Sequence, residues 1–292
     1  MKTRLALLVS FLFTAVLAHA ASDYAIQLTR KITVGDHYRV TATGSDEQAA
    51  NATVDGQPMP PRGESLAVEL VADCEVLAVS PAGREAKARL VIVKFVRLAA
   101  GQPVDLLPAG TIVDAEKTGD KTIFTVGDTK VAGPVAKAFE TAGIGMFGDD
   151  TATDDTVFGT TERKKVGDSW AINAAAAAAD LAKKKIPATA DKLNGEVKLV
   201  EVVQQDNQPV LRISATVAMH GVNPPMPPGM EVQSSEFTSS HSGLFPADPT
   251  KLIQQESSTM NMALTASGTQ NGRTMSMSVT QKRASDKKFT RN

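Results

Sequence analysis

Four methionines at alternate positions in two neighbouring segments are the residues whose type and spacing most suggest chemistry: Met260 and Met262 in "TMNMALTASGTQ", and Met275 and Met277 in "NGRTMSMSVT". A spacing of two puts each pair on one face of a strand, and a hairpin turn within Gly268 to Gly272 would bring both pairs onto a common face. Three readings compete for such a patch. It is ordinary core, or a soft and adaptable lining for an apolar ligand, or a Cu(I) site. Thioethers suit that ion, but the neighbours offer no histidine.

The remaining inventory is thin. Of four histidines, His19 lies in the N-terminal apolar run, leaving His37, His220 and His241. His37 follows a turn and His220 ends a strand on its polar face. "SSHSG" sets serines beside His241, but adjacent strand residues point to opposite faces, and the pattern is not the G-x-S-x-G elbow of hydrolases. Asp149, Asp150, Asp154 and Asp155 in "GDDTATDD" are calcium-like in type but not in spacing, and read as a solvated loop. Cys74, the sole cysteine, shares a strand face with Leu66, Val68, Leu70, Val76 and Ala78. It reads as a small core residue, and no intramolecular disulfide is available. The sequence therefore nominates no catalytic residue, no metal site and no cofactor.

The triplet Val-Gly-Asp occurs three times, at Val34–Asp36, Val126–Asp128 and Val166–Asp168. Each copy stands where a strand-like run starts or stops, and Gly-Asp supplies the positive-φ tolerance and local hydrogen bond that turns use. Turns are the expectation. The third copy runs on to Trp170, the only tryptophan.

Most of the chain from residue 22 on alternates with period two, as half-buried strands do. "EVKLVEVVQQDNQ" and "PVLRISATVAMH" read as a hairpin turning at Asp206-Asn207. Leu66–Ser80 and Glu85–Leu98 read as another, joined by Pro81-Ala82-Gly83. A helix is expected from Pro134 to Gly143, with proline in the first turn and glycine as the stop. The alanine-rich run Ala174–Lys185 reads as a second helix or as a mobile insertion. "PMPP", at Pro58–Pro61 and Pro225–Pro228, reads as a stiff loop, with a docking ligand as the alternative.

The N-terminus has the form of a secretory leader: Lys2 and Arg4, an apolar run from Leu5 to Leu17, then Ala18-His19-Ala20 with cleavage expected after Ala20. The run is shorter than the ~20 residues a spanning helix needs, and no second run follows. Removing 20 of the 292 residues leaves 272 and takes away two positive charges, moving the formal net charge from −1 to −3. That balance argues against nucleic acid as partner. Aromatics at 4% give little material for stacking platforms, which demotes sugars and single strands as ligands.

"FGTTERKKVGDSW" (Phe158 to Trp170) resembles a signature of an uncharacterised family of exported bacterial proteins, a domain of unknown function. The signature's residues here are Val166, Gly167, Asp168 and Trp170. "LLPAGTIVDAEKTGDKTIFTVGD" upstream and "SGLFPADPTKLIQQES" downstream are similar to the flanking regions of that family, so the resemblance touches about half the chain. It implies an exported antiparallel-β protein and supplies no functional residue to carry over.

The expected fold is mainly β: a curved antiparallel sheet, half-barrel-like, with one or two short helices, of the kind seen in periplasmic lipoprotein carriers. A two-sheet β-sandwich is the alternative. The expected organisation is a leader over 1–20, one β-rich domain over 21–284 with candidate similar halves at 22–130 and 159–284, and a flexible basic tail over 285–292. The expected protein is periplasmic or secreted. It binds an apolar or lipidic ligand without catalysis, with a structural or interaction role in the envelope, and then an enzyme, as the alternatives.

Overall fold

The computed structural model describes residues 22–99, 102–148, 152–183, 186–224 and 226–291. The leader over 1–20 with its cleavage point, Asp149 and Asp150, the Lys184-Lys185 end of the alanine-rich run and Pro225 lie outside the described residues.

A first wing of strands comprises β1 (His37–Val54), β2 (Gln57–Pro58), β3 (Arg62–Val79), β4 (Glu85–Ala99), β5 (Gln102–Leu107), β6 (Ile112–Thr118), β7 (Lys121–Val126) and β8 (Thr129–Lys130). The chain then forms α1 (Pro134–Thr141), α2 (Asp154–Phe158), the short β9 (Ser169–Ala171) and α3 (Ala174–Lys183). A second wing follows, made of β10 (Leu193–Gln205), β11 (Gln208–His220), β12 (Met230–Pro246), β13 (Gln255–Gln270) and β14 (Arg273–Arg291).

All the strands join one curved antiparallel sheet in the order β8-β7-β6-β4-β3-β1-β14-β13-β12-β11-β10-β9, with β2 beside β1 and β5 beside β4. β8 and β9 are its edges, so the sheet does not close into a barrel. A single sheet replaces the two-sheet sandwich alternative, and the short α-helices among the described residues number three.

The hairpins follow from local chemistry. Asp55-Gly56, Asp206-Asn207 and Asn271-Gly272 each place two successive residues at positive φ, the backbone of the two-residue turn whose twist matches the strands it joins. Burial then alternates along the strands, as at Tyr38, Val40 and Ala42 in β1. The wings meet where β1 lies antiparallel to β14, from Tyr38 opposite Arg291 to Val54 opposite Met275.

Where a flexible tail over 285–292 was expected, the described residues 285–291 are strand: β14 runs to Arg291, and over that stretch it is paired with β1 throughout and with β13 as far as Lys288. Lys287 and Arg291 are each paired. Lys287 Nζ lies 2.8 Å from Glu256, Arg291 lies 3.0 Å from Asp36, and the Phe289 ring meets Tyr38 edge-on.

The helices cover the inner face. α1 starts at Pro134 and buries Ala138, Phe139 and Thr141. It lies over β3, β1 and β14. Its last turn comes so close that a Cβ on Gly44 of β1 would sit 1.9 Å from the Thr141 carbonyl oxygen. Gly44→Ala should accordingly cost about 1–3 kcal/mol by forcing helix and strand apart. A urea midpoint equal to that of the natural protein would contradict this contact. The alanine-rich run is a helix over its described residues, α3, burying Ala178 beside Leu193, Met219 and Val222.

The acidic stretch is not simply a solvated loop. From Asp154 it becomes α2, where the Thr153 hydroxyl caps the Thr156 N–H at 3.2 Å. The Asp155 carboxylate accepts the N–H groups of Leu28 (2.6 Å) and Thr29 (3.0 Å).

Candidate functional site

The N-terminal segment that precedes β1 is threaded over the inner face. Tyr24 exchanges backbone hydrogen bonds with Lys164 at 2.8 and 2.9 Å, and Asp155 holds Leu28 and Thr29. Ile26, Leu28 and Arg30 point inward at every second position. Beyond α1, residues 143–148 form a second strap: Phe147 N–H donates to Glu85 O at 2.8 Å, and Met146 N–H to Thr122 Oγ1 at 2.8 Å. The Arg84 guanidinium donates to the carbonyls of Gly148 (2.7 Å) and Ala152 (3.2 Å) and lies 4.7 Å from the centre of the Phe147 ring.

Between these two straps and the sheet is a cavity of about 190 Å³. Ile32, Val40, Leu90, Ile144, Leu252 and Phe289 are among the apolar side chains of its wall. Arg30, Tyr38, Glu85, Asp154, Glu256 and Lys287 also reach it.

The polar groups are arranged in pairs. Tyr38 Oη donates to the Glu85 carboxylate, with oxygens at 2.9 and 3.0 Å, and both residues are buried. Burial lifts the Glu85 carboxyl to about 7, against which the Tyr38 hydrogen bond pulls only in part. Burial likewise pushes the neighbouring Cys74 thiol up to about 12, so it stays protonated and unreactive. Burial works against ionisation of Glu256 too, but Lys287 beside it prevails and holds that carboxyl below its usual range. Further along the same face, Asp46 is 3% exposed and accepts from Gln281 (2.9 Å) and Arg283 (2.9 and 3.0 Å).

The four methionines do share a face. The register sets Met260 opposite Arg283, Met262 opposite Gln281, Met277 opposite Ala266 and Met275 opposite Gly268. They form a half-buried row divided by Leu264 and Val279, not a single patch. Met275 and Met277 lie against Met230 and Leu264. Met260 and Met262 continue the face that Glu256 begins, and none of the four lines the cavity.

His241 bonds neither adjacent serine. Its Nε2 lies 2.7 Å from the hydroxyl of Ser239, two positions back on the same face, and its ring lies 5.8 Å from that of Phe158. Burial keeps it below the usual histidine range, partly offset by Glu256. His37 and His220 are exposed. Among the described residues, no group of three or more His, Cys, Asp or Glu could hold a metal ion. No helix among them is long and apolar enough to cross a membrane.

The Val-Gly-Asp triplets are turns, and two are the same turn. Gly35 N–H donates to Val76 O at 2.9 Å, Val76 N–H returns to Asp36 O at 3.0 Å, and the Asp36 carboxylate accepts from Thr33 N–H at 2.8 Å. Gly167, Leu199, Asp168 and Lys165 repeat the pattern at 2.8, 3.0 and 2.8 Å. Both glycines need positive φ, +88° and +97°. One turn opens β1 and the other opens β9, the edge strand beside β10. The middle copy instead places Gly127-Asp128 in the two-residue loop between β7 and β8. Val166 is exposed, and Trp170 donates its indole N–H to Phe158 O at 2.8 Å. The signature residues thus shape a strand start and stand outside the cavity.

Sequence reasoning passed over Arg30, Tyr38, Glu85 and Lys287. A signal existed for Arg30, which occupies an apolar slot in the alternation Ile26, Leu28, Arg30, Ile32.

No family model matches the sequence, and a search of curated proteins finds no significant match. Among solved structures, one titled for lipid–protein interactions in lipovitellin aligns over 86% of this chain and 25% of its own, at 11% identity and a TM-score of 0.31. This chain thus spans about a quarter of that one. The outer membrane protein OprG from Pseudomonas aeruginosa aligns over 90% of this chain and 100% of its own, at 6% identity and a TM-score of 0.22. Alignments this loose carry no argument about the present chain.

Proposed function

We propose that this protein is an exported, non-catalytic binder of a small apolar or lipidic ligand, seated in the cavity under the N-terminal segment. The observation that carries the reading is the cavity itself: about 190 Å³ of space walled by apolar side chains and roofed by two hydrogen-bonded straps. A dry apolar cavity of roughly 150 Å³ suffices for one aromatic ring, so the natural occupant is a single ring or a short alkyl chain. The half-buried methionine row extends the same face and offers a soft continuation for a longer tail. The leader-like N-terminus supports export.

Native mass spectrometry on protein prepared without detergent, alone and with added 1-octanol, tests the reading. We expect an extra mass that disappears on denaturation, or octanol uptake at one site. Ala88→Leu, which fills the cavity from β4, should abolish that uptake. A bare chain that also ignores octanol would overturn it.

A further inference from the structure

We propose that the ligand of this cavity ends in a carboxylate, received by Arg30; the proposal rests on the cavity being the binding site. Arg30 is 8% exposed and lines the cavity. Its guanidinium is held almost entirely by neutral carbonyls. Nη1 donates to Pro246 O (2.8 Å) and Asp248 O (3.2 Å), and Nη2 donates to Gln27 O (3.0 Å). Nε is buried and has no hydrogen-bond partner. Among the described residues, no carboxylate oxygen lies within ion-pair distance of this cation.

The other charged groups at the cavity are differently placed. Lys287 is paired with Glu256 at 2.8 Å, Glu85 is engaged with Tyr38, and the Arg84 guanidinium is spent on the strap carbonyls of Gly148 and Ala152. The two acids whose fields reach Arg30, Asp155 and Asp248, are already occupied. Asp155 accepts from Leu28 and Thr29, and Asp248 from the Thr250 N–H (2.9 Å) and hydroxyl (2.7 Å). Burial draws Arg30 down to about 10, which still leaves it charged at neutral pH.

A buried cation held only by neutral carbonyls is costly, and a ligand anion beside the guanidinium would recover part of that cost. The Phe245 ring, 5.2 Å from the guanidinium, flanks the same corner. The chemistry therefore selects an apolar tail with one anionic end. A neutral hydrocarbon would leave the guanidinium without a counter-ion.

Calorimetric titration of the natural protein with octanoate, 1-octanol and acetate provides the test. Octanoate should bind roughly tenfold or more tightly than octanol, as one charged hydrogen bond predicts, and acetate should bind far more weakly than either. Arg30→Gln should bring octanoate down to the level of octanol, and Arg30→Lys should restore part of the difference. Equal affinity for octanoate and octanol would overturn the carboxylate assignment while leaving the cavity as the site. Acetate binding as well as octanoate would overturn the amphipathic ligand. No binding of any probe would overturn the proposed function and this inference together. The comparison among ligands needs only the natural protein, so it decides the matter even where the Arg30 variants fail to fold.

Discussion

Phe139→Ala is expected to cost about 3–5 kcal/mol of folding stability, the largest loss from a single substitution in the helical cover. Phe139 is fully buried and sits between two other rings, with centroids 4.3 Å from Phe95 and 4.5 Å from Phe124. It is the side chain by which α1 grips both β4 and β7. Removing it deletes apolar contact and leaves a void that a rigid sheet cannot close. Because the strap over 143–148 leaves directly from α1, ligand uptake should weaken along with stability. Equilibrium denaturation in urea measures the first effect and octanol titration the second. A stability loss under ~1 kcal/mol would mean that α1 is held elsewhere.

The second large effect depends on pH. Glu85 binds its proton up to about pH 7 when folded, against an ordinary value of 4.5. Its contribution to stability is therefore complete below about pH 4.5 and is lost as the pH rises through about 7. At ~1.4 kcal/mol per pH unit, the total is roughly 3 kcal/mol. Tyr38 and Cys74 beside it are both raised further and stay protonated throughout that range; burial also lifts Asp154 across the cavity to about 6, so comparison with Glu85→Gln is what isolates Glu85. The natural protein should thus lose roughly 2–3 kcal/mol more than Glu85→Gln between about pH 5 and pH 8. Stability curves of the two proteins running parallel with pH would show that Glu85 ionises normally.

The strands and their turns were legible because their determinants are local. Period-two alternation and pairs such as Asp206-Asn207 fix a hairpin within a dozen residues, and Pro134 with Gly143 frames a helix in the same way. The sequence failed to reveal the parts whose partners are remote. The tail from residue 285 is basic and reads as solvated. Only the fold shows that Lys287 meets Glu256 and that Phe289 meets Tyr38. α2 is hidden in an acidic run because its anchor is Asp155 bonding to residues more than a hundred positions earlier. The cavity is the extreme case. Its wall is assembled from the N-terminal segment, six of the long strands and the strap after α1, so no local window contains its pattern. The methionine alternation was correctly read as one face, yet nothing in the spacing could show that Leu264 and Val279 would divide the row.

The pairing of β1 with β14 has a consequence for how the molecule comes into being. Tyr38 and Arg291 are neighbours in the sheet yet lie 253 positions apart in the chain. Each wing is a succession of near-sequence hairpins that can zip early, whereas the join between them waits for β14 to be made. Until then each half carries an open, long and hydrogen-bond-hungry edge, the kind that recruits other chains. A newly made chain is therefore most vulnerable to aggregation until β14 has been made. A holding factor during synthesis or export would have to shield those two unpaired margins, β1 and β13, until β14 arrives to fill the gap between them.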